Sequence, residues 1–137
     1  MRLIGVEVGF FEDRDDEEVL VVGIAGVDGG GVARSFVVQR STYEPEEQDI
    51  RSGMDSYCVS TELGHTAYGC LCGVRVTDSL LTLEFTDKGA EILEIPTVVD
   101  ASLGGSGIDR ATLSRKLREV VDWGASERRP EFVGPCV

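Results

Sequence analysis

Alternation of apolar and polar residues with a period of two runs through the first two thirds of the chain, and it constrains the fold more than any other feature. This period places successive side chains on opposite faces of a β-strand. One face of a first strand carries Ile4, Val6, Val8 and Phe10. The next strand, from Val19 to Ala25, is apolar at nearly every position. We therefore predict that this second strand is buried on both faces.

A run of three glycines links the second strand to a third. The glycines at 29–31 follow Asp28 and permit the positive φ angles of a tight reversal. Phe36 and Val38 then fall on one face of a strand that ends near Arg40. These features predict an antiparallel hairpin.

A second group of strands follows a polar segment at 41–52. Aromatic and β-branched residues predict a strand over 55–61, and a turn at 64–65 reverses the chain into a longer strand over 66–77. Alternation places five side chains on one buried face of this longer strand, namely Tyr68, Cys70, Cys72, Val74 and Val76. A turn at 78–79 then leads to a half-buried strand whose inner face carries Leu81, Leu83 and Phe85.

The period changes near Thr86, where helical spacing begins. Thr86 can cap a short helix over 87–93, and Pro96 prevents the helix from extending further. Asp109 can cap the longest helix, which carries an apolar stripe at the spacing i, i+4, i+7, i+8. The residues of this stripe are Leu113, Leu117, Val120 and Val121. Such a stripe requires a sheet to cover it.

These segments predict an α+β fold, a mostly antiparallel β-sheet with one long and one short helix packed on one face. A chain of this length buries enough surface for a single core, so we expect one domain over 1–123. The segment 124–137 contains two prolines and little periodicity. We expect it to form an extended C-terminal tail on the surface.

The charge balance restricts the partners. The 137 residues include 25 acidic and 13 basic side chains, which gives a net charge of −12 at pH 7. Such a chain repels phosphate, so we expect neither nucleic acid nor an anionic membrane as a partner. The sequence has no hydrophobic signal region and no apolar run near 18 residues. We therefore expect a cytoplasmic protein whose partner is basic.

Two acidic segments are candidate docking sites for a basic protein. The first contributes Glu12, Asp13, Asp15 and Asp16, and the second contributes Glu44, Glu46, Glu47 and Asp49. Carboxylates form bidentate pairs with Arg and attract cations across an interface. The alternative interpretation is that both segments are solvated charge runs without a partner.

The cysteines and the single histidine raise a second hypothesis, a small metal-binding or enzymatic domain. His65, Cys70 and Cys72, with Cys58 on a neighbouring strand, could be arranged as a tetrahedral zinc site. The thiols fit a core better, because valines follow them on the same strand face. We therefore predict no metal ligand, no cofactor and no catalytic residue. A third hypothesis is an adaptor domain that self-associates through an unprotected edge strand.

Three elements in the middle of the chain carry a family resemblance. The first follows the pattern Gly-x-Asp-Thr-Tyr-Cys-x-x-x-Glu at Gly53, Asp55, Tyr57, Cys58 and Glu62, with Ser56 in place of Thr. The second follows Tyr-Gly-Gly at Tyr68 and Gly69, with Cys70 in place of the second glycine. The third is a Leu-Thr-Leu strand at 81–83 that leads into a helix. In these elements the chain resembles the immunity protein 10 family of bacterial polymorphic toxin systems.

The resemblance implies a protein that binds and neutralises a cognate toxin made by the same cell. Many toxins of such systems are nucleases, and a nuclease presents a basic surface to phosphate. An acidic protein can occupy that surface. We therefore predict an immunity protein, not an enzyme, that occludes a basic toxin.

Overall fold

The computed structural model describes residues 1–15, 19–42, 56–104, 107–123 and 129–134 of the chain. In chain order the elements are β1 (Arg2–Asp13), β2 (Val19–Val27), β3 (Ala33–Ser41), β4 (Cys58–Thr61), β5 (Thr66–Tyr68), β6 (Leu71–Val76), β7 (Leu80–Phe85), α1 (Asp87–Leu93), β8 (Val98–Ser102), α2 (Arg110–Val121) and β9 (Glu131–Val133). Strands occupy the segments that alternate with a period of two. Helices occupy the segments in which that period is lost.

The described strands form one sheet in the order β5-β4-β3-β2-β1-β8-β7-β6-β9. Neighbouring strands are antiparallel, except that β1 with β8 and β6 with β9 are parallel. The inner face of the sheet and the buried faces of both helices share one hydrophobic core. The prediction of an α+β fold with a mostly antiparallel sheet is confirmed.

The short connection between β5 and β6 forces this sheet to curl. The two strands are seven positions apart in the strand order, which in a flat sheet would separate them by about 34 Å. The two residues that join them allow at most about 11 Å between Tyr68 and Leu71. The sheet therefore wraps around the core until its ends approach each other. Across that core, the rings of Phe36 on β3 and Phe85 on β7 lie with centroids 6.2 Å apart.

A β-bulge divides strand β1 near Gly5. The pairing of β1 with β2 shifts between Ile4 and Glu7, and Gly5 has a φ of 60°, which glycine adopts at least cost. As a result Leu3 and Val6 are buried, whereas Ile4 is exposed. The prediction that Ile4 shares a face with Val6 and the later apolar residues is therefore wrong, because the bulge inverts the alternation.

Strand β2 is buried on one face only. Leu20, Val22 and Ile24 point into the core, whereas Val21 is half-buried and Ala25 is exposed. The prediction of burial on both faces is therefore wrong. Both helices pack on the inner face, and the outward face is open to solvent in the described part of the chain.

The predicted strand over 66–77 is in fact two strands, β5 and β6. The chain passes between them through buried Cys70. A bulge beside Cys72 then shifts the pairing of β6 with β7, so Leu71 is buried and Cys72 is exposed. Tyr68 is exposed as well. The prediction that Tyr68 and Cys72 lie on one buried face with Cys70 is therefore wrong for both residues.

Both helices begin at the predicted caps. The Oγ1 of Thr86 accepts a hydrogen bond from the N–H of Gly89 at 3.0 Å, and Asp109 occupies the N-cap position of α2. The predicted stripe of α2 is buried against β2, β3 and β6, through Leu113, Leu117, Val120 and Val121. The described helices have 7 and 12 residues, and neither has the length and apolar character needed to cross a membrane.

The C-terminal segment adds a strand to the sheet. Of the expected tail over 124–137, residues 129–134 are described, and β9 pairs with β6 in parallel. Phe132 packs against the core, and the guanidinium of Arg118 lies 4.5 Å from the centre of its ring. This part of the segment therefore belongs to the sheet.

Candidate functional site

Strand β1 pairs with a different strand on each side, and each pairing covers only part of its length. Strand β8 pairs with it at Arg2 and Leu3, and β2 pairs with it from Ile4 to Asp13. Beyond Leu3, no strand among the described residues continues on the side of β8. Residues 5–12 therefore form a free sheet edge, which we call the β1 edge.

The register shows which backbone groups face outward at the β1 edge. The N–H of Asp28 donates to the carbonyl of Val32 at 2.9 Å, so even-numbered residues of β2 direct their backbone groups toward β3. Odd-numbered residues of β2 face β1, where they pair with Glu7, Gly9 and Phe11. The N–H and C=O groups that point away from β2 consequently belong to Val8, Phe10 and Glu12.

An apolar groove of about 150 Å³ lies beside the β1 edge, between β1 and the C-terminal half of α2. Its apolar lining includes Phe10, Leu20, Val22 and Val120, and its polar lining is Glu12, Lys116 and Glu119. Phe10 is 36% exposed because α2 packs chiefly on β2 and β3, and leaves the end of β1 uncovered.

The first predicted acidic segment borders this groove. The guanidinium of Arg14 lies 3.0 Å from the carboxylate of Glu12 and 3.4 Å from that of Glu119. The Oδ1 of Asp13 accepts a hydrogen bond from the N–H of Asp15 at 3.1 Å. Sequence reasoning missed Glu119, which lies 105 positions from Arg14 and carries no local signal of this contact. The other predicted docking residues lie outside the described residues, namely Asp16, Glu44, Glu46, Glu47 and Asp49.

The opposite, outward face of the β1 edge is also open. Phe11 is 50% exposed on this face. Gly9 pairs with Gly23, and the absence of side chains there leaves a shallow depression of about 320 Å³ across β1, β2 and β3. Glu7 and Val37 line it on either side. The end of β1 thus presents one aromatic side chain on each face.

Two residues of the family motif fix the crossing from β5 to β6. Tyr57 is fully buried, and its hydroxyl donates to the carbonyl of Leu71 at 3.1 Å and accepts from the N–H of the same residue at 3.0 Å. Gly69 has a φ of 57°, and its N–H donates to the carbonyl of Tyr57 at 2.9 Å. Tyr57 therefore holds the two ends of the curled sheet together.

The remaining motif residues have other positions. Glu62 accepts a hydrogen bond from the N–H of Ser35 at 2.9 Å and lies 3.5 Å from the guanidinium of Arg34, so it anchors the end of β4 to β3. Tyr68 is 40% exposed. Gly53 and Asp55 lie outside the described residues. The described part of the motif thus marks the fold more than the β1 edge.

The thiols and the histidine do not converge on a site. Burial raises the pKa of the Cys58 thiol and raises that of Cys70 to about 12, so both stay protonated at neutral pH. The Nε2 of His65 lies 2.7 Å from the Oε2 of Glu94 in a half-exposed pair. Among the described side chains, no group of three or more His, Cys, Asp and Glu residues is placed to hold a metal ion.

Comparison with known proteins identifies the family. The family model described as immunity protein 10 matches residues 6–111. No curated protein and no solved structure matches the chain. The matched range spans more than half of the 137 residues and includes most of the β1 edge and the crossing at Tyr57. The chain therefore belongs to the immunity protein 10 family.

Proposed function

We propose that this protein binds a cognate toxin at the acidic end of β1 and neutralises it by covering the toxin's functional surface. Membership of the immunity protein 10 family supports the toxin-immunity role. The location rests on one observation: the β1 edge, the apolar groove and the carboxylates of Glu12, Asp13 and Asp15 occupy the same end of the sheet. Neutralisation of this kind requires no chemical step by the immunity protein itself.

Charge favours a basic toxin, such as a nuclease. The net charge of −12 attracts a basic surface over a distance of about one Debye length, which speeds encounter at low salt. Short-range contacts then determine how slowly the complex separates. Phe10 and Phe11 are the aromatic side chains available for such contacts at the end of β1.

We place this encounter in the cytoplasm. The described cysteines Cys58, Cys70 and Cys72 are free thiols, and unpaired cysteines are typical of a reducing compartment. A toxin made by the same cell meets its inhibitor there before it is exported.

Co-expression tests the function. Cells that produce the toxin encoded beside this gene should die, and cells that also produce this protein should grow. The purified proteins should form a complex in which the toxin is inactive. Continued killing in cells that contain the stable complex would contradict neutralisation by occlusion.

A charge pair tests the location. Glu12→Gln with Asp15→Asn removes two negative charges beside the groove and should slow association with the toxin about threefold to tenfold at low salt. Asp87→Asn with Glu91→Gln removes the same charge from exposed positions of α1, which contacts the outer strand β5, and should have a smaller effect. The difference should disappear at high salt. Equal slowing by the two double variants would mean that only net charge acts and that the location is wrong.

A further inference from the structure

We infer that the toxin contributes an extended segment, carrying Lys or Arg, that pairs with the β1 edge as an additional strand of the sheet. This inference rests on the proposed function and adds the conformation and chemistry of the toxin segment that is recognised. Three observations carry it: the outward backbone groups of β1, the groove beside them, and the sign of the charge along the strand.

The backbone of the β1 edge is ready for another strand. The N–H and C=O groups of Val8, Phe10 and Glu12 point to the free side, and none of them bonds to another described residue on that side. Alternate strand residues are about 6.8 Å apart, so these groups extend over about 14 Å, which a segment of about five residues can match. Natural edges are commonly blocked by Lys, Pro or a β-bulge; residues 5–12 contain no Lys or Pro, and the bulge of β1, between Ile4 and Glu7, precedes the outward groups of Val8, Phe10 and Glu12.

The β1 edge is also the longest free edge in the described part of the chain. The two outer strands of the sheet, β5 and β9, have three residues each. Short edges offer few hydrogen bonds to an incoming strand. A partner strand can therefore form the largest number of backbone hydrogen bonds at the β1 edge.

The groove selects the side chains of the added strand. Successive side chains of that strand would point alternately to the helix side and to the outward side. On the helix side they meet Phe10 and Val120, and the volume of about 150 Å³ suits an apolar side chain. The carboxylates of Glu12 and Glu119 line the same groove, and both lie within 3.4 Å of the Arg14 guanidinium, so a Lys or Arg of the added strand would share these carboxylates with Arg14. We therefore expect a segment in which an apolar residue is flanked by basic ones.

Charge disfavours a second copy of this chain as the added strand. Residues 5–13 contain Glu7, Glu12 and Asp13 and no basic side chain. Parallel pairing in register sets each carboxylate beside its own copy, and antiparallel pairing centred on Phe10 sets Glu7 of one copy opposite Asp13 of the other. Like charges directly opposite each other destabilise a strand pair, and two chains of charge −12 repel. Charge repulsion thus argues against self-association through the β1 edge, whereas the same negative charge favours a basic partner there.

Amide hydrogen exchange of the full-length protein with a catalytically inactivated form of the toxin tests the inference. In the free protein the amides of Val8, Phe10 and Glu12 should exchange fast, whereas those of Gly9 and Phe11 are protected by β2. In the complex the three outward amides should slow at least about tenfold, to the level of their neighbours. A complex that leaves the three rates unchanged would overturn the inference and leave the proposed function standing. Failure to form any complex would overturn the proposed function itself.

A pair of variants at one residue separates strand pairing from simple coverage. Val8→Pro removes an outward N–H and leaves the hydrogen bonds to β2 in place, whereas Val8→Ala keeps that N–H. Val8→Pro should bind the inactivated toxin about tenfold more weakly than Val8→Ala. Equal affinity of the two folded variants would contradict strand addition.

Two further measurements complete this test. If Val8→Pro has a much lower Tm than Val8→Ala, hydrogen exchange on the unmodified protein decides the outcome. Light scattering of the free protein should show a monomer. A dimer that Val8→Pro dissociates would assign the β1 edge to a second copy and overturn the inference.

Discussion

The start and the end of strand β1 share one type of sequence and lie in different surroundings. At the start, β1 runs beside β8, and Leu3 is fully buried. At the end, β1 pairs with β2 alone, and Phe10 and Phe11 are 36% and 50% exposed. The apolar alternation predicts a strand in both parts, but the packing of the core against each part decides which apolar side chains are buried. Apolar residues at the free end are therefore available to a partner.

Truncation of Leu3, at the start of β1, should have the largest effect on the free energy of unfolding. Leu3→Ala leaves a cavity in the core and should lower the free energy of unfolding by about 2–5 kcal/mol. Ile4→Ala, at the next and 58% exposed position, should cost about 1 kcal/mol or less. Urea denaturation followed by circular dichroism measures both. Equal costs would remove the distinction between the two positions.

Truncation of Phe10 should act on binding more than on folding. Phe10→Ala should weaken toxin binding about 30-fold, the effect of losing an aromatic anchor, while lowering the free energy of unfolding by only about 1 kcal/mol. Leu63→Ala is the matched control, because Leu63 is 59% exposed in the turn between β4 and β5. Calorimetric titration with the inactivated toxin separates them. Similar loss of affinity in both variants would place the toxin elsewhere.

Removal of the Tyr57 hydroxyl should weaken the closed side of the sheet without affecting the toxin. Tyr57→Phe leaves the N–H and C=O of Leu71 without this partner in the core, at a cost of about 1–3 kcal/mol in the free energy of unfolding. Tyr68→Phe, at a 40% exposed position, should cost less. Thermal or urea unfolding gives the comparison, and toxin affinity should be unchanged. A marked loss of affinity in Tyr57→Phe would link the closure to the free end.

The turn beside the start of β1 should give the smallest effect, and one that depends on pH. Hydrogen bonds from Val32 and Arg34, with Gly30, hold the pKa of Asp28 below its ordinary value of 3.8. The Asp28 carboxylate therefore binds a proton less readily in the folded protein than in the unfolded chain. Ionised Asp28 stabilises the folded state above about pH 4, and this contribution is lost as the pH falls through the pKa of the folded state.

Replacement of Asp28 isolates this contribution. Asp28→Asn should lower stability at pH 7, and the gap from the unmodified protein should narrow as the pH falls below about 4. Urea midpoints measured from pH 7 to pH 2.5 test this. A gap that stays constant across that range would show that the charge of Asp28 is not its cause.

Local chemistry in the sequence predicts most elements of this fold. The spacing of Leu81, Leu83 and Phe85 predicts the buried face of β7, and Thr86 and Asp109 predict the helix starts. Each of these signals acts within one turn or one strand. The exposure of the acidic residues at 12–15 is also predicted locally, because charged side chains avoid the core, and they are exposed or half-buried at the end of β1.

Features that depend on distant residues escape such reasoning. The bulge beside Cys72 moves that side chain out of the core without altering the apolar pattern. The approach of Glu119 to Arg14 depends on how α2 crosses the sheet. The β1 edge exists because β8 pairs only with residues 2–3. The sequence of β1 contains no signal of where the pairing with β8 ends. The part of the candidate site that the sequence does not predict is thus the part made by tertiary contacts.

The parallel pairing of β1 with β8 has a consequence for synthesis. Met1 donates to the carbonyl of Val98, so 97 residues must leave the ribosome before the first strand acquires its second neighbour. The hairpins of β1, β2 and β3 can form during translation, but the side of β1 that faces away from β2 stays open along its whole length until then. Contacts of such long range slow folding. A chain still being translated therefore exposes residues 2–3, which later pair with β8, together with the β1 edge that we propose for the toxin.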